Sequence, residues 1–144
     1  MKTISRAFAL AVLSLLGATA ALAASPPRVM QHAILRVAAP YKHNMRFAHV
    51  MASATLRHAK MDIYINVTTD NLPAPMLLHK RYYVVWAANG AKREALGTLK
   101  IHGNMAGLKS RTMMRVVQDI VISAENSSAP SKSTGPIVLS GMVG

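Results

Sequence analysis

Three histidines and three methionines fall close together in this sequence: His43, Met45, His49, Met51, His58 and Met61. Imidazole and thioether groups are soft donors that suit copper. If neighbouring strands fold the segment back on itself, all six could converge on one ion. His102 and Met105 flank a later turn and make a smaller pair. The chain holds ten Met and six His but no Cys, so such a site would have no thiolate. That absence removes thiol catalysis, Cys-based zinc sites and blue-copper centres. It also leaves packing, without disulfides, to hold the fold. Methionine is equally a filler of irregular core gaps. The primary expectation is therefore no metal and no cofactor, with copper binding through the six side chains as the alternative.

Catalysis has less to work with. The five acidic residues are Asp62, Asp70, Glu94, Asp119 and Glu125. No two stand close enough in sequence to suggest paired acid and base. Ser, His and Asp all occur, but no Gly-x-Ser-x-Gly elbow presents a nucleophile. The expectation is a protein without enzymatic activity. Trp86 with Tyr64, Tyr82 and Tyr83 could form a carbohydrate platform, or Trp86 could be a core residue of a central strand. Lys80-Arg81 and Lys92-Arg93 are two local basic pairs, read either as contacts for anions or as edge protection.

The start of the chain limits where this chemistry would operate. Lys2 and Arg6 precede an apolar run over residues 7–21, and Ala21-Leu22-Ala23 offers small residues for cleavage. Residues 1–23 therefore read as a secretory signal peptide of a bacterial protein, periplasmic or secreted. No later stretch is apolar and long enough to span a bilayer as a helix. Loss of Lys2 and Arg6 lowers the formal net charge from +12 to +10. The basic residues are scattered, without a block. They read as the solvated basic surface of an exported protein or, alternatively, as attraction to an anionic envelope component such as phosphate-bearing lipids or polymers; the partner is an unidentified envelope protein or such a component. Export removes nucleic acid from reach, and membrane contact would be at most peripheral unless the signal stays uncleaved.

The elements that must position these residues are strands. "MDIYINVTT" alternates Met61, Ile63, Ile65 and Val67 against Asp62, Tyr64, Asn66 and Thr68. "ASATLRHA" alternates likewise, and Ala59-Lys60 joins the two as a hairpin. Pro73 and Pro75 mark a connection. "RYYVVWAA" reads as a central strand, Asn89-Gly90 as a hairpin turn, and "EALGTLKI" as the returning strand with a bulge or a close backbone approach at Gly97. A turn around Gly103 and Gly107 leads to "LKSRTMM". "VVQDIVISAE" follows with Ile120, Ile122 and Ala124 inward. "PIVLSGMV" closes the chain, with Ile137, Leu139 and Val143 on one side. Pro136 suits a first strand residue, and Gly135 suits a turn with positive φ. The pattern predicts an all-β fold, an antiparallel immunoglobulin-like β-sandwich of about 7–8 strands. Residues 24–50 form an N-terminal segment, with a possible edge strand "HAILRVA" and a loop or linker. Residues 51–144 form the sandwich domain.

Several of these features recur in order in one family. Leu72-Pro73, Tyr83 with Trp86, Leu96-Gly97-Thr98, Glu125 and Thr134-Gly135-Pro136 resemble the C-terminal extracytoplasmic domain of anti-sigma-K factors. The resemblance covers about 90 residues, from Met51 onward. It implies a β-sandwich in the cell envelope that takes part in protein interaction or envelope sensing linked to sigma-factor regulation. It implies no catalytic residues, and the matching positions would be structural. The family's Glu-Pro-Ala-Gly-Gly-Ser turn is replaced here by Glu125-Asn126-Ser127-Ser128-Ala129-Pro130. The family also carries a cytoplasmic sigma-binding segment and a membrane span. Neither is read in this sequence, so direct sigma-factor binding is not carried over.

Overall fold

A period of two governs the chain. In β2 (Met51–His58) Ala52, Ala54 and Leu56 are buried, and in β3 (Ile63–Asp70) Ile63, Ile65 and Val67 are. The two strands pair antiparallel from Met51 against Asp70 to His58 against Ile63, as the expected hairpin. The computed structural model describes residues 29–144. The expected signal segment, residues 1–23, lies outside the described residues.

Seven further strands complete the wall: β1 (Met30–Val37), β4 (Tyr82–Asn89), β5 (Lys92–Thr98), β6 (Lys100–His102), β7 (Met105–Thr112), β8 (Asp119–Glu125) and β9 (Ile137–Met142). No α-helix occurs among the described residues; three short 3-10 turns do. The order is β5-β4-β8-β9-β1-β2-β3-β7-β6, with every neighbouring pair antiparallel. The fold is therefore all-β and antiparallel. The strand number departs from the expected seven or eight. Nine strands run in one hydrogen-bonded order, which closes almost into a barrel.

Two corners make that near-closure. Residues Met30 to Leu35 of β1 pair with β2, whereas Arg36 and Val37 pair with β9. At the other corner only Leu99 separates β5, which pairs with β4, from β6, which pairs with β7. Strands that change partners at a bend are how a folded sheet turns a corner. Gly97, at φ +143, sits at a bulge opposite Val85 and Trp86 and lies against Leu108 of β7. The expected bulge occurs there, and what lies against Gly97 is the Leu108 side chain and not another stretch of backbone. β1 is thus an interior strand, not the edge expected for "HAILRVA". Its hydrogen bonds join residues 30–37 to strands on both sides, so that stretch belongs to the same wall as residues 51–144.

The main core fills the interior with Leu35, Leu56, Ile65, Val67, Tyr83, Val85, Ile120, Ile122 and Leu139 among others. Tyr82–Asn89 is buried on both faces, as its central position requires. Its outer side carries a second cluster of Val84, Trp86, Ala88 and Val121, with Ile137 packed against it. That placement corrects the expectation for the last strand. Ile122 pairs with Leu139 and Ser123 with Ile137, so Val138 is an extra residue. Val138 and Leu139 both enter the main core, and Ile137 turns to the other face. A one-residue bulge inverts the alternation beyond it. Gly107 likewise lies within β7, and the turn is confined to Gly103 and Asn104.

Candidate functional site

The six soft ligands do not converge. Met51 and His58 cap opposite ends of β2, seven steps of about 3.3 Å apart, or roughly 23 Å. His43, Met45, His49 and Met51 lie toward one end of the wall, and His58 and Met61 toward the other. His58 Nε2 is engaged at 2.6 Å with Gln31 Oε1. Met45, Met51 and Met61 are exposed. One ion with short metal–ligand bonds cannot use both groups, which overturns the six-residue ligand set. Among the described residues no three of His, Asp and Glu gather in a metal-binding group.

The residues named for the family resemblance fall in two places, the main core and the outer cluster. Leu72 packs against the main core. The Pro73 carbonyl accepts from the Tyr83 hydroxyl at 2.7 Å. Burial, with the neighbouring Tyr41, pushes the Tyr83 phenol well above its ordinary range, so it stays a donor. Leu96 packs on the core, and its carbonyl accepts from Ser110 Oγ at 2.9 Å. Thr98 pairs with Val84.

A second network runs through the outer cluster. Trp86 Nε1 donates to Ser123 Oγ at 2.8 Å, and Ser123 Oγ donates to Glu125 Oε1 at 2.8 Å. Thr134 Oγ1 and the Gly135 N–H donate to Glu125 Oε2 at 3.1 and 3.0 Å. The Pro136 carbonyl accepts from the Ala124 N–H. Thr134-Gly135-Pro136 is therefore the clamp of a buried carboxylate as well as the start of β9. Burial alone would raise the Glu125 pKa, but the donors from Ser123, Gly135 and Thr134 outweigh it and hold the carboxyl below its ordinary value. Gly135 does not take the expected positive φ. Its requirement is space, because a Cβ there would lie 1.7 Å from the Ala124 carbonyl oxygen.

Trp86 is 1 % exposed, which removes the carbohydrate-platform reading. Its emission is expected to be blue-shifted and insensitive to iodide or acrylamide in the folded protein. A red-shifted, quencher-accessible emission would contradict this burial.

The connections divide between the two ends of the nearly closed wall, and the longer ones lie at one end. Four connections share it: residues 38–50, 71–81, 103–104 and 126–136. Lys42, Arg46, Lys80, Arg81 and Lys132 lie on them, and no Asp or Glu does. The connections at the opposite end, residues 59–62, 90–91 and 113–118, hold Lys60 and Arg115 with Asp62. The two basic pairs separate, Lys80-Arg81 toward the first end and Lys92-Arg93 toward the second. Among the described residues one ion pair forms, Arg111 with Asp62 at 4.0 Å. The cations of the first end are left without carboxylate partners.

Hydrogen bonds and buried side chains hold parts of these loops. Asn71, left-handed at φ 58, ties three of them: its N–H donates to the Asn104 carbonyl at 2.8 Å, and its side chain donates to the His49 carbonyl at 3.3 Å. Asn44 caps the 3-10 turn Met45–Phe47 by accepting from the Arg46 N–H at 3.0 Å. Phe47 of that turn is buried, with Tyr41 5.1 Å away ring to ring. The turn Pro75–Leu78 opens on a buried Pro75 and ends at left-handed His79, whose N–H is bonded back to it. Beside these loops β1 parts from β2, and a cleft of about 590 Å³ opens, lined by Arg36, Val50, Met51, Asp70 and Met105 among others. The loop end was only partly visible in the sequence. Lys80-Arg81 was noted there, but the gathering of four acid-free connections depends on strand order.

No protein-family model matches this chain, and no curated protein sequence does.

Proposed function

We propose that this chain is an exported, non-enzymatic β-module of the bacterial cell envelope that works by contact. Its role would be protein interaction or envelope sensing linked to sigma-factor regulation, similar to the outer domain of anti-sigma-K factors. The division of pairing at β1 supports reading the wall as the two facing sheets of an immunoglobulin-like sandwich, which is part of the same proposal. The two buried ionisable groups among the described residues, Tyr83 and Glu125, are both engaged in holding the frame, which favours contact over catalysis.

One observation carries the reading: five cations and no carboxylate on four connections gathered at one end, three of them tied to one another by hydrogen bonds. A prearranged surface loses little conformational freedom when it binds, and like charges gathered without counter-ions favour an anionic partner. The test is photo-crosslinking in intact bacteria from a residue at that end, Ala74, compared with one at the other end, Ala91. Adducts with envelope components from position 74, and few from 91, are expected. Equal yields from both positions, or adducts only from 91, would refute the loop end as the contact surface.

A further inference from the structure

Exposed apolar side chains stand among those cations. Met45 is 88 % exposed and Met76 78 % exposed, and Leu77 is half exposed beside it. Each occupies a 3-10 turn whose neighbouring residue is anchored in the protein, Phe47 in one turn and Pro75 in the other. Their exposure is therefore set by the backbone and is not the fraying of a loose loop. Cations lie next to them in the chain: Arg46 follows Met45, Lys42 sits three residues before it, and Lys80 is three residues beyond Leu77.

We propose that this end of the barrel docks on an anionic phospholipid bilayer. Met45, Met76 and Leu77 enter the boundary between headgroups and acyl chains, while Lys42, Arg46 and Lys80 meet lipid phosphates. The inference rests on the reading of the loop end as the contact surface and specifies its partner. A soluble polyanion would engage the cations and leave the apolar groups in water. A bilayer offers phosphate and hydrocarbon within several ångströms of each other, which matches apolar tips a few residues from basic ones. Unbranched methionine adapts to a disordered apolar medium at low steric cost. The fixed turns also present these groups without an ordering step.

The test uses the mature chain with vesicles of phosphatidylcholine, alone or mixed with phosphatidylglycerol. Sedimentation with the mixed vesicles, loss of that binding as salt is raised, and none with phosphatidylcholine alone are expected. The double variants Met45→Asp/Met76→Asp and Lys42→Glu/Arg46→Glu should each weaken partitioning at least about tenfold. The chain has no cysteine, so Met76→Cys and Ala91→Cys each take a single environment-sensitive dye. The dye at 76 should shift to the blue on mixed vesicles, and the dye at 91 should not. This readout stands even if a double variant folds poorly.

Absence of binding to mixed vesicles at low salt overturns the proposal. So does a dye at 76 that reports water throughout, or binding to soluble polyphosphate as tight as to vesicles and unaffected by Met45→Asp/Met76→Asp. If position 74 still crosslinks to an envelope protein while vesicles fail to bind, the contact surface survives and the lipid partner falls. Failure of both experiments removes both readings.

Discussion

Gly135→Ala is expected to destabilise the protein by about 3 kcal/mol or more, a fall of roughly 10–15 °C in melting temperature for a domain of this size. The added Cβ would lie 1.7 Å from the Ala124 carbonyl oxygen and 2.9 Å from its carbon. Both atoms belong to backbone of the central strand β8, which cannot rotate aside as a side chain would. The segment around residue 135 must move instead. That movement pulls the Gly135 N–H from Glu125, at 3.0 Å, and disturbs the bond from the Ala124 N–H to the Pro136 carbonyl. The same strain reaches Val138 and Leu139 just beyond, both fully buried. A comparison isolates the cause. Gly90 has φ +61 and nothing within 4 Å of its would-be Cβ, so Gly90→Ala incurs conformational strain alone, about 1–2 kcal/mol. Thermal melts of the two variants should therefore rank Gly135→Ala as the more damaging, although only Gly90 has a left-handed backbone. Equal melting temperatures for Gly135→Ala and the parent would mean that β9 does not start against β8 as described.

Gly135 also shows why some of this fold was legible and some was not. Period-two patterns are local, so "MDIYINVTT" and "ASATLRHA" disclosed both their strands and their inward faces. Ile120, Ile122 and Ala124 were equally plain. A bulge is a relation between two strands, and nothing in "PIVLSGMV" marks Val138 as the extra residue. The place of β1 was hidden for a similar reason. "HAILRVA" reads the same at an edge or in the interior, and only the switch from β2 to β9 after Leu35 decides. For the site, residue types were visible without their distances. Six His and Met side chains within a short segment suggested one cluster, but an eight-residue strand between two of them holds the groups apart. The Thr-Gly-Pro motif shows in sequence only that a strand can start there. Its bonds to Glu125, ten residues earlier in the chain, required the loop 126–136 to fold back on β8. The acid-free loop end is the clearest case, since its four connections are scattered from residue 38 to residue 136 and meet only through strand order.

Glu125→Ala should approach Gly135→Ala in cost, and it removes the titrating group itself. The carboxylate is 2 % exposed and has no cation beside it among the described ion pairs. Its charge is met by the Ser123 hydroxyl on one oxygen and by the Thr134 hydroxyl and Gly135 N–H on the other. Alanine leaves those three donors without their acceptor, and Ser123 also holds the Trp86 indole. At about 1 kcal/mol or more for each donor, roughly 3 kcal/mol is at stake. Glu125→Gln should cost less, about 1–2 kcal/mol. Its carbonyl can take the Oε2 position and accept from Thr134 and Gly135, and its amide can donate to Ser123. The pH dependence separates charge from shape. Because the donors outweigh burial, the folded carboxyl has a lower pKa than the 4.5 of an unperturbed one. Near neutrality the group is ionised in both states, and its stabilising contribution is complete. As pH falls below 4.5 the unfolded chain takes up the proton first, and the contribution declines until the folded carboxyl is protonated too. Denaturant melts across that range should show the parent losing stability more steeply than Glu125→Gln, which has no proton to gain there. Parallel acid limbs in parent and variant would mean that Glu125 is not held as a charged acceptor. The clamp on Thr134-Gly135-Pro136 would then be ordinary packing.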